Sequence, residues 1–179
     1  EKPGKTALIT AGIHAGEYVG IQSAIELGRD LKIEKMTGTV IIVKVVGRDE
    51  FENRHGSLCR ETGENLNRVF PGKKDGTKYE KLAYAVVNEL QKKADYYIDL
   101  HSGDDYEKLT PYVYYAGKAD PEVTKISRQM AEQVDVPYMG EIRGWHLAEA
   151  IIMQHPAASL PSFWNEAEWA TGIQKKCVL

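Results

Sequence analysis

Two histidines and two glutamates in this chain have the types and the spacing for hydrolytic metal chemistry. His14 and Glu17 stand three residues apart in "AGIHAGEYVG" (11–20), on a glycine-rich bend, and His101 ends the apolar run "DYYIDLH" (95–101). Glu166 closes "SLPSFWNE" (159–166). Two neutral imidazoles and one carboxylate, with a fourth position left to water, make the donor set of a catalytic zinc site. Zinc held by such a set lowers the pKa of its water to about 7 and polarises a carbonyl oxygen. A neighbouring carboxylate, for which Glu166 is the best-placed candidate, then takes the proton from water and passes it to a leaving amine. Asp99 lies two residues before His101, so on a strand the two side chains share a face, and Asp99 is positioned to orient that region.

A substrate end is legible in "RETGENLNRVFPG" (60–72), where Arg60, Asn67 and Arg68 surround the turn-forming Gly63. Guanidinium forks bind carboxylates bidentately and stay charged at any relevant pH. One arginine could clamp a substrate carboxylate while the other meets an oxyanion beside the metal. Singly, each residue has an ordinary explanation. His14 and Glu17 could shape a turn and complement a helix dipole, His101 could be a hydrogen-bonded strand-end histidine, and the arginines could be solvated loop charges. Those explanations do not require the residues to cluster.

The elements that must position them alternate between strand and helix. "TALITAG" (6–12) reads as a buried strand, and "EYVGIQSAIELGRDL" (17–31) as a helix with Val19, Ala24, Ile25, Leu27 and Leu31 as apolar positions. "GTVIIVKVV" (38–46) has the β-branched content of a central strand. From Gly47 to about Gly76 runs a long polar stretch, of a kind that is usually functional inside a compact domain. "YEKLAYAVVNELQKKA" (79–94) is expected to be a helix, "DYYIDLH" (95–101) and "TPYVYYAG" (110–117) strands, and "PEVTKISRQMAEQV" (121–134) a helix. "WHLAEAIIMQH" (145–155) is expected to form another helix and "SLPSFWNE" (159–166) a last buried strand. This order predicts an α/β fold with a mixed, largely parallel sheet between helices. Ligands of open α/β sheets gather beyond the carboxyl ends of the strands, and every candidate residue falls just past such an end.

Composition sets the outer bounds. The 179 residues fit one domain over 1–179, and 42% apolar with 27% charged residues is ordinary for a globular chain. A net charge of −3 gives no reason to expect nucleic acid or an anionic membrane as partner. The longest apolar candidate, "TVIIVKVV", is interrupted by Lys44 and falls far short of a membrane span. Two cysteines, Cys59 and Cys177, make no disulfide framework, so a reducing cytoplasm is the simplest setting.

"GIHAGEYVG", "GENLNRVFPG" and "DLHSG", in this order, resemble the succinylglutamate desuccinylase/aspartoacylase family of the zinc carboxypeptidase superfamily, from about Thr6 to Gly172. The resemblance implies a zinc carboxypeptidase-like three-layer sandwich. It implies that His14, Glu17 and His101 bind Zn2+, that Asn67 and Arg68 hold the substrate carboxylate, and that Arg60 assists the scissile carbonyl. It also implies Glu166, five residues after Pro161, as general base. Two local departures stand out. The first motif reads His-Ala-Gly-Glu where His-Gly-x-Glu is commoner, and Asn65 stands where Asp is frequent. The C-terminal β domain of many members is not expected in 1–179, which leaves substrate range open. The expected activity is a zinc-dependent hydrolase cleaving the amide of an N-acyl amino acid, a small molecule with a free carboxylate. The alternatives are a metallocarboxypeptidase acting on peptide C-termini and a zinc- or carboxylate-binding module without turnover.

Overall fold

The computed structural model describes residues 3–117, 120–142 and 150–154. Its centre is a six-stranded sheet. β1 (Thr6–Ala11), β2 (Thr39–Val43), β3 (Tyr96–His101), β4 (Tyr112–Ala116), β5 (Tyr138–Ile142) and β6 (Ala150–Gln154) lie in the order β2-β1-β3-β6-β4-β5. β1 is parallel to both β2 and β3, β3 is parallel to β6, and β4 runs antiparallel to β6 and parallel to β5. The helices are α1 (Tyr18–Asp30), the short α2 (Arg48–Glu52), α3 (Lys78–Ala85) and α4 (Pro121–Ala131). The expected mixed, largely parallel sheet is present.

Side chains alternate across each strand, and the sheet buries both faces. Ile9 and Ala11 of β1 and Tyr96, Ile98 and Leu100 of β3 pack with Ala24 and Leu27 of α1 and Met130 and Ala131 of α4. On the other face, Leu8 and Tyr97 pack against Ile41, Val43, Leu90 and Ala94. Above the carboxyl ends, Ile13, Val46, Cys59, Leu66 and Phe70 join Tyr79, Ala83 and Val86 in a second core that anchors the polar stretch. That stretch is therefore not an open loop. It contains α2, a short 3-10 turn at Leu66–Arg68 and a bridge between Leu58 and Asn65.

α1 turns Ile21, Ala24 and Leu27 inward, whereas Ile25, expected on the apolar face, is 40% exposed. Gly20 allows α1 to run close to β3, because a Cβ there would stand 3.0 Å from the carbonyl oxygen of Leu100. α3 begins with a full capping box, Thr77 and Glu80 bonding each other's backbone N–H. It continues through a π turn at Val86–Leu90 and a 3-10 turn at Gln91–Lys93. Among the described residues, no helix is long and apolar enough to cross a membrane.

The helix expected over 145–155 is not what the described part of it forms: Ala150–Gln154 make β6, hydrogen-bonded between β3 and β4, and the rest of that segment lies outside the described residues. A short apolar run such as Ala-Ile-Ile-Met has no period that separates a buried strand from a helix face. Its two β-branched isoleucines suit a slot that needs ladder partners on both edges. β5, "YMGEI", has no strand signal in its sequence. It is short, contains Gly140 and leaves Tyr138 62% exposed, so it lacks the alternation that marks a strand. The expected strand 159–166, and Glu166 with it, lie outside the described residues.

Candidate metal centre

The parallel register of β1, β2 and β3 puts their carboxyl ends on one edge, and His14, Glu17 and His101 meet there. β1 ends at Ala11, where Gly12 takes a φ of +61° that other residues rarely adopt. The bend is clamped to the segment after β2 by Val46 N–H to the Ala11 carbonyl (3.0 Å) and Gly47 N–H to the Gly12 carbonyl (2.7 Å). Ile13, 1% exposed, anchors it in the core. Glu17 N–H donates to the His14 carbonyl at 3.2 Å, a tight turn that folds the two side chains toward each other just before α1.

Glu17 is the hub. His14 Nδ1 lies 2.7 Å from its Oε1, His101 Nδ1 lies 2.8 Å from its Oε2, and Ser102 N–H donates to Oε2 at 3.2 Å. The candidate ligand atoms of His14, Glu17 and His101 all lie within 4.8 Å of one another. Both imidazoles turn Nδ1 inward and commit Nε2 to an outer acceptor. For His101 the acceptor is Asp99 Oδ2 at 2.8 Å, and Asp99 Oδ1 in turn accepts from Thr10 Oγ1 at 2.6 Å. For His14 it is Asn65 Oδ1 at 3.0 Å. That amide's orientation follows from its second bond: Asn67 N–H donates to the same oxygen at 2.8 Å, so the atom there must be an acceptor. Outer acceptors of this kind fix the tautomer and leave Nδ1 free to ligate. Two imidazoles and a carboxylate, converging and nearly dry, are a fitting donor set for zinc.

The electrostatics describe the same pocket without an ion. Burial pushes the Glu17 carboxyl up, but the hydrogen bonds and charge of His101 and His14 outweigh it and bring the pKa down to about 2. Burial would lower the His101 imidazole, yet the carboxylates of Asp99 and Glu17 on its two nitrogens raise it to about 10. A metal-free His101 is thus an imidazolium held between two carboxylates.

The anticipated substrate residues are placed less uniformly. Asn65 caps the Leu66–Arg68 turn and brings it alongside His14. Within that turn Arg68 is exposed, its guanidinium donating to the Asn67 carbonyl at 2.9 Å. Arg60 is also exposed and bonds Asn53 of the α2 end at 3.3 Å. Among the described residues, no hydrogen bond ties Arg60 to the histidines. Thr10, which holds Asp99, escaped the sequence reading, because a threonine inside an apolar strand carries no signal until the register sets it beside Asp99.

Comparison with known proteins places the chain in a family. The model of the succinylglutamate desuccinylase/aspartoacylase catalytic domain matches residues 3–144. The chain belongs to this family. The N-alpha-acetyl-L-2,4-diaminobutyric acid deacetylase of Halomonas elongata is 33% identical over 135 residues, covering 75% of this chain and 39% of the relative. The chain therefore spans well under half the length of that curated family relative. Among solved structures, a succinylglutamate desuccinylase/aspartoacylase from Rhodobacter sphaeroides superposes with a TM-score of 0.79 at 22% identity, over 97% of this chain and 56% of the other. The product-bound ectoine utilization protein of Ruegeria pomeroyi gives 0.80 at 24% identity, over 97% and 58%. A metallo-carboxypeptidase from Pseudomonas aeruginosa gives 0.61 at 15%, over 87% and 49%. These likenesses establish the zinc carboxypeptidase-like fold.

Proposed function

We propose that this family member is the catalytic unit of a zinc-dependent amidohydrolase that removes a short acyl group from the α-nitrogen of an amino acid. One observation carries the reading: His14, Glu17 and His101 converge within 4.8 Å at the carboxyl edge of the sheet, with an outer acceptor on each imidazole. Membership of the desuccinylase/aspartoacylase family supports it, and the deacetylase from Halomonas elongata favours an N-acyl amino acid over a peptide.

His14, Glu17 and His101 would hold the metal, which supplies Lewis acidity toward the amide carbonyl and toward water. The other roles belong to the chain. Asp99 and Asn65 keep both Nδ1 atoms directed inward. Arg68 receives the substrate carboxylate through its forked N–H groups, with Asn67 beside it. Arg60 meets negative charge as it develops on the carbonyl oxygen. Glu166 accepts a proton from the attacking water and delivers it to the departing amine. Arg60 must leave Asn53 to act, an adjustment available to an exposed side chain held by one 3.3 Å bond.

Metal analysis of the purified protein, followed by a hydrolysis screen over N-acyl amino acids and short peptides, tests the reading. One equivalent of zinc and turnover of N-acyl amino acids are expected. Cleavage confined to peptides would move the assignment to a carboxypeptidase, and tight binding without product would leave a non-catalytic module.

A further inference from the structure

Asp104 is placed where three loops meet, and one of its oxygens has no ordinary reason to be there. Oδ1 is buried and has no hydrogen-bond partner, whereas Oδ2 accepts from Ser57 Oγ at 2.5 Å. Buried polar atoms are nearly always paired, so an orphaned carboxylate oxygen calls for a reason. Gly16 supplies one. A Cβ on Gly16 would overlap Asp104 Oδ1, which therefore occupies the space that any other side chain would fill. The contact is reinforced through the backbone, since Asp105 N–H donates to the Gly16 carbonyl at 3.0 Å. Asp105 holds a φ of +44° to do so, a conformation that aspartate tolerates better than most residues.

We propose that Asp104 is a positioning residue, a strut that joins the His14–Glu17 turn to the loop bearing Ser57 and Arg60. Gly16 lies between the two candidate ligands, and Ser57 lies three residues before Arg60. One carboxylate thus spans the turn that presents the metal donors and the segment that presents a substrate arginine. Position 16 is the place in the His14–Glu17 turn that must admit the Asp104 oxygen, and it is a glycine. The functional part of this inference rests on the metal-site reading above. The mechanical part does not.

The test uses the full chain with Asp104→Ala, Ser57→Ala, Gly16→Ala and the double variant Gly16→Ala/Asp104→Ala. Amide hydrogen exchange is measured on the metal-free proteins, and zinc affinity by competition with a chelator. Asp104→Ala should speed exchange in residues 13–18 and 53–60 together and weaken zinc binding by about 10–100-fold, the range for residues that orient a ligand. Gly16→Ala should act the same way, because its methyl expels the carboxylate. The double variant should be no worse than Asp104→Ala alone, the non-additivity expected of groups sharing one contact. Ser57→Ala, which only removes a hydroxyl, should loosen 53–60 in the same direction and keeps the test decisive if Gly16→Ala does not fold. Wild-type exchange in either segment of Asp104→Ala, or additive losses in the double variant, would overturn the proposal. If the unaltered protein binds no zinc, the metal-site reading falls, while the exchange data still decide the strut.

Discussion

Replacing Asp99 by alanine should damage stability and metal affinity together, and the size of each effect follows from the contacts. Asp99 is 1% exposed and accepts two hydrogen bonds, from His101 Nε2 at 2.8 Å and from Thr10 Oγ1 at 2.6 Å. Hydrogen bonds to a charged group contribute roughly 1.5–3 kcal/mol each. Thr10 retains a second partner, the Tyr97 hydroxyl at 2.9 Å, so its loss is partial. His101 retains only the Glu17 side of its pair. Breaking one side of a buried ionic contact typically costs about 3–5 kcal/mol. For a chain of this size that lowers the unfolding midpoint of the metal-free protein by roughly 10 °C or more. With Nε2 no longer held, zinc affinity should drop by about 10–100-fold. Asp99→Asn, which keeps an acceptor oxygen but not the charge, should fall between the two proteins on both scales. Thr10→Val should cost stability with little change in zinc affinity. Thermal unfolding of the metal-free variants and chelator competition read the two quantities separately. An Asp99→Ala protein within about 1 kcal/mol of wild type and within twofold in zinc affinity would refute the role given to this carboxylate.

Three further outcomes are expected. Stability of the metal-free protein should fall as pH rises from 6.5 toward about 10: the folded pKa of His101 lies above its ordinary value, so its contribution is complete below 6.5 and lost as the pH passes through about 10. A flat unfolding midpoint across that window would contradict the imidazolium, and zinc binding near neutral pH should release a proton, visible calorimetrically in buffers of different ionisation enthalpy. Arg68→Ala should mainly raise KM and Arg60→Ala mainly lower kcat, so equal changes in both parameters from both variants would dissolve that division of roles. Glu166→Gln should keep its zinc and lose about 10²–10⁴-fold in turnover, with Glu168→Gln near wild type. The reverse pattern would move the base to Glu168.

The fold was legible wherever local pattern and tertiary demand agree. β1 and β3 are largely apolar six-residue runs bounded by Lys5 and Gly12 and by Asp95 and Ser102, and α1 and α4 have one buried face each, so composition and boundaries mark the strands and periodicity the helices. Failure came where a segment's environment, not its own pattern, selects the structure. Ala150–Gln154 becomes a strand because β3 and β4 both need a ladder partner there. Nothing inside five residues records that need. β5 is defined chiefly by its pairing with β4, since its own sequence mixes tyrosine, methionine, glycine and glutamate.

The site divides along the same line. His14 and Glu17 are local to one turn, and His101 ends a recognisable strand, so residue type and spacing suffice for them. Their outer partners are long-range: Asn65 reaches His14 across 51 positions, and Thr10 reaches Asp99 across 89. These partners decide whether the three residues form a ligand set or an ordinary ion-pair cluster. Glu17 and Asp99 bring two carboxylates into a nearly dry pocket, and such charges are costly unless balanced. In the metal-free protein His101 supplies a compensating positive charge by holding its proton, so the scaffold can fold before any ion arrives. In the proposed metal site His14, Glu17 and His101 would hold a dication whose charge would balance the two carboxylates in place of that proton, with Asp99 and Asn65 still holding the two Nε2 atoms. His14, with its Nε2 held by a neutral amide and its Nδ1 turned to the same carboxylate, is the second imidazole that the proposed ligand set requires.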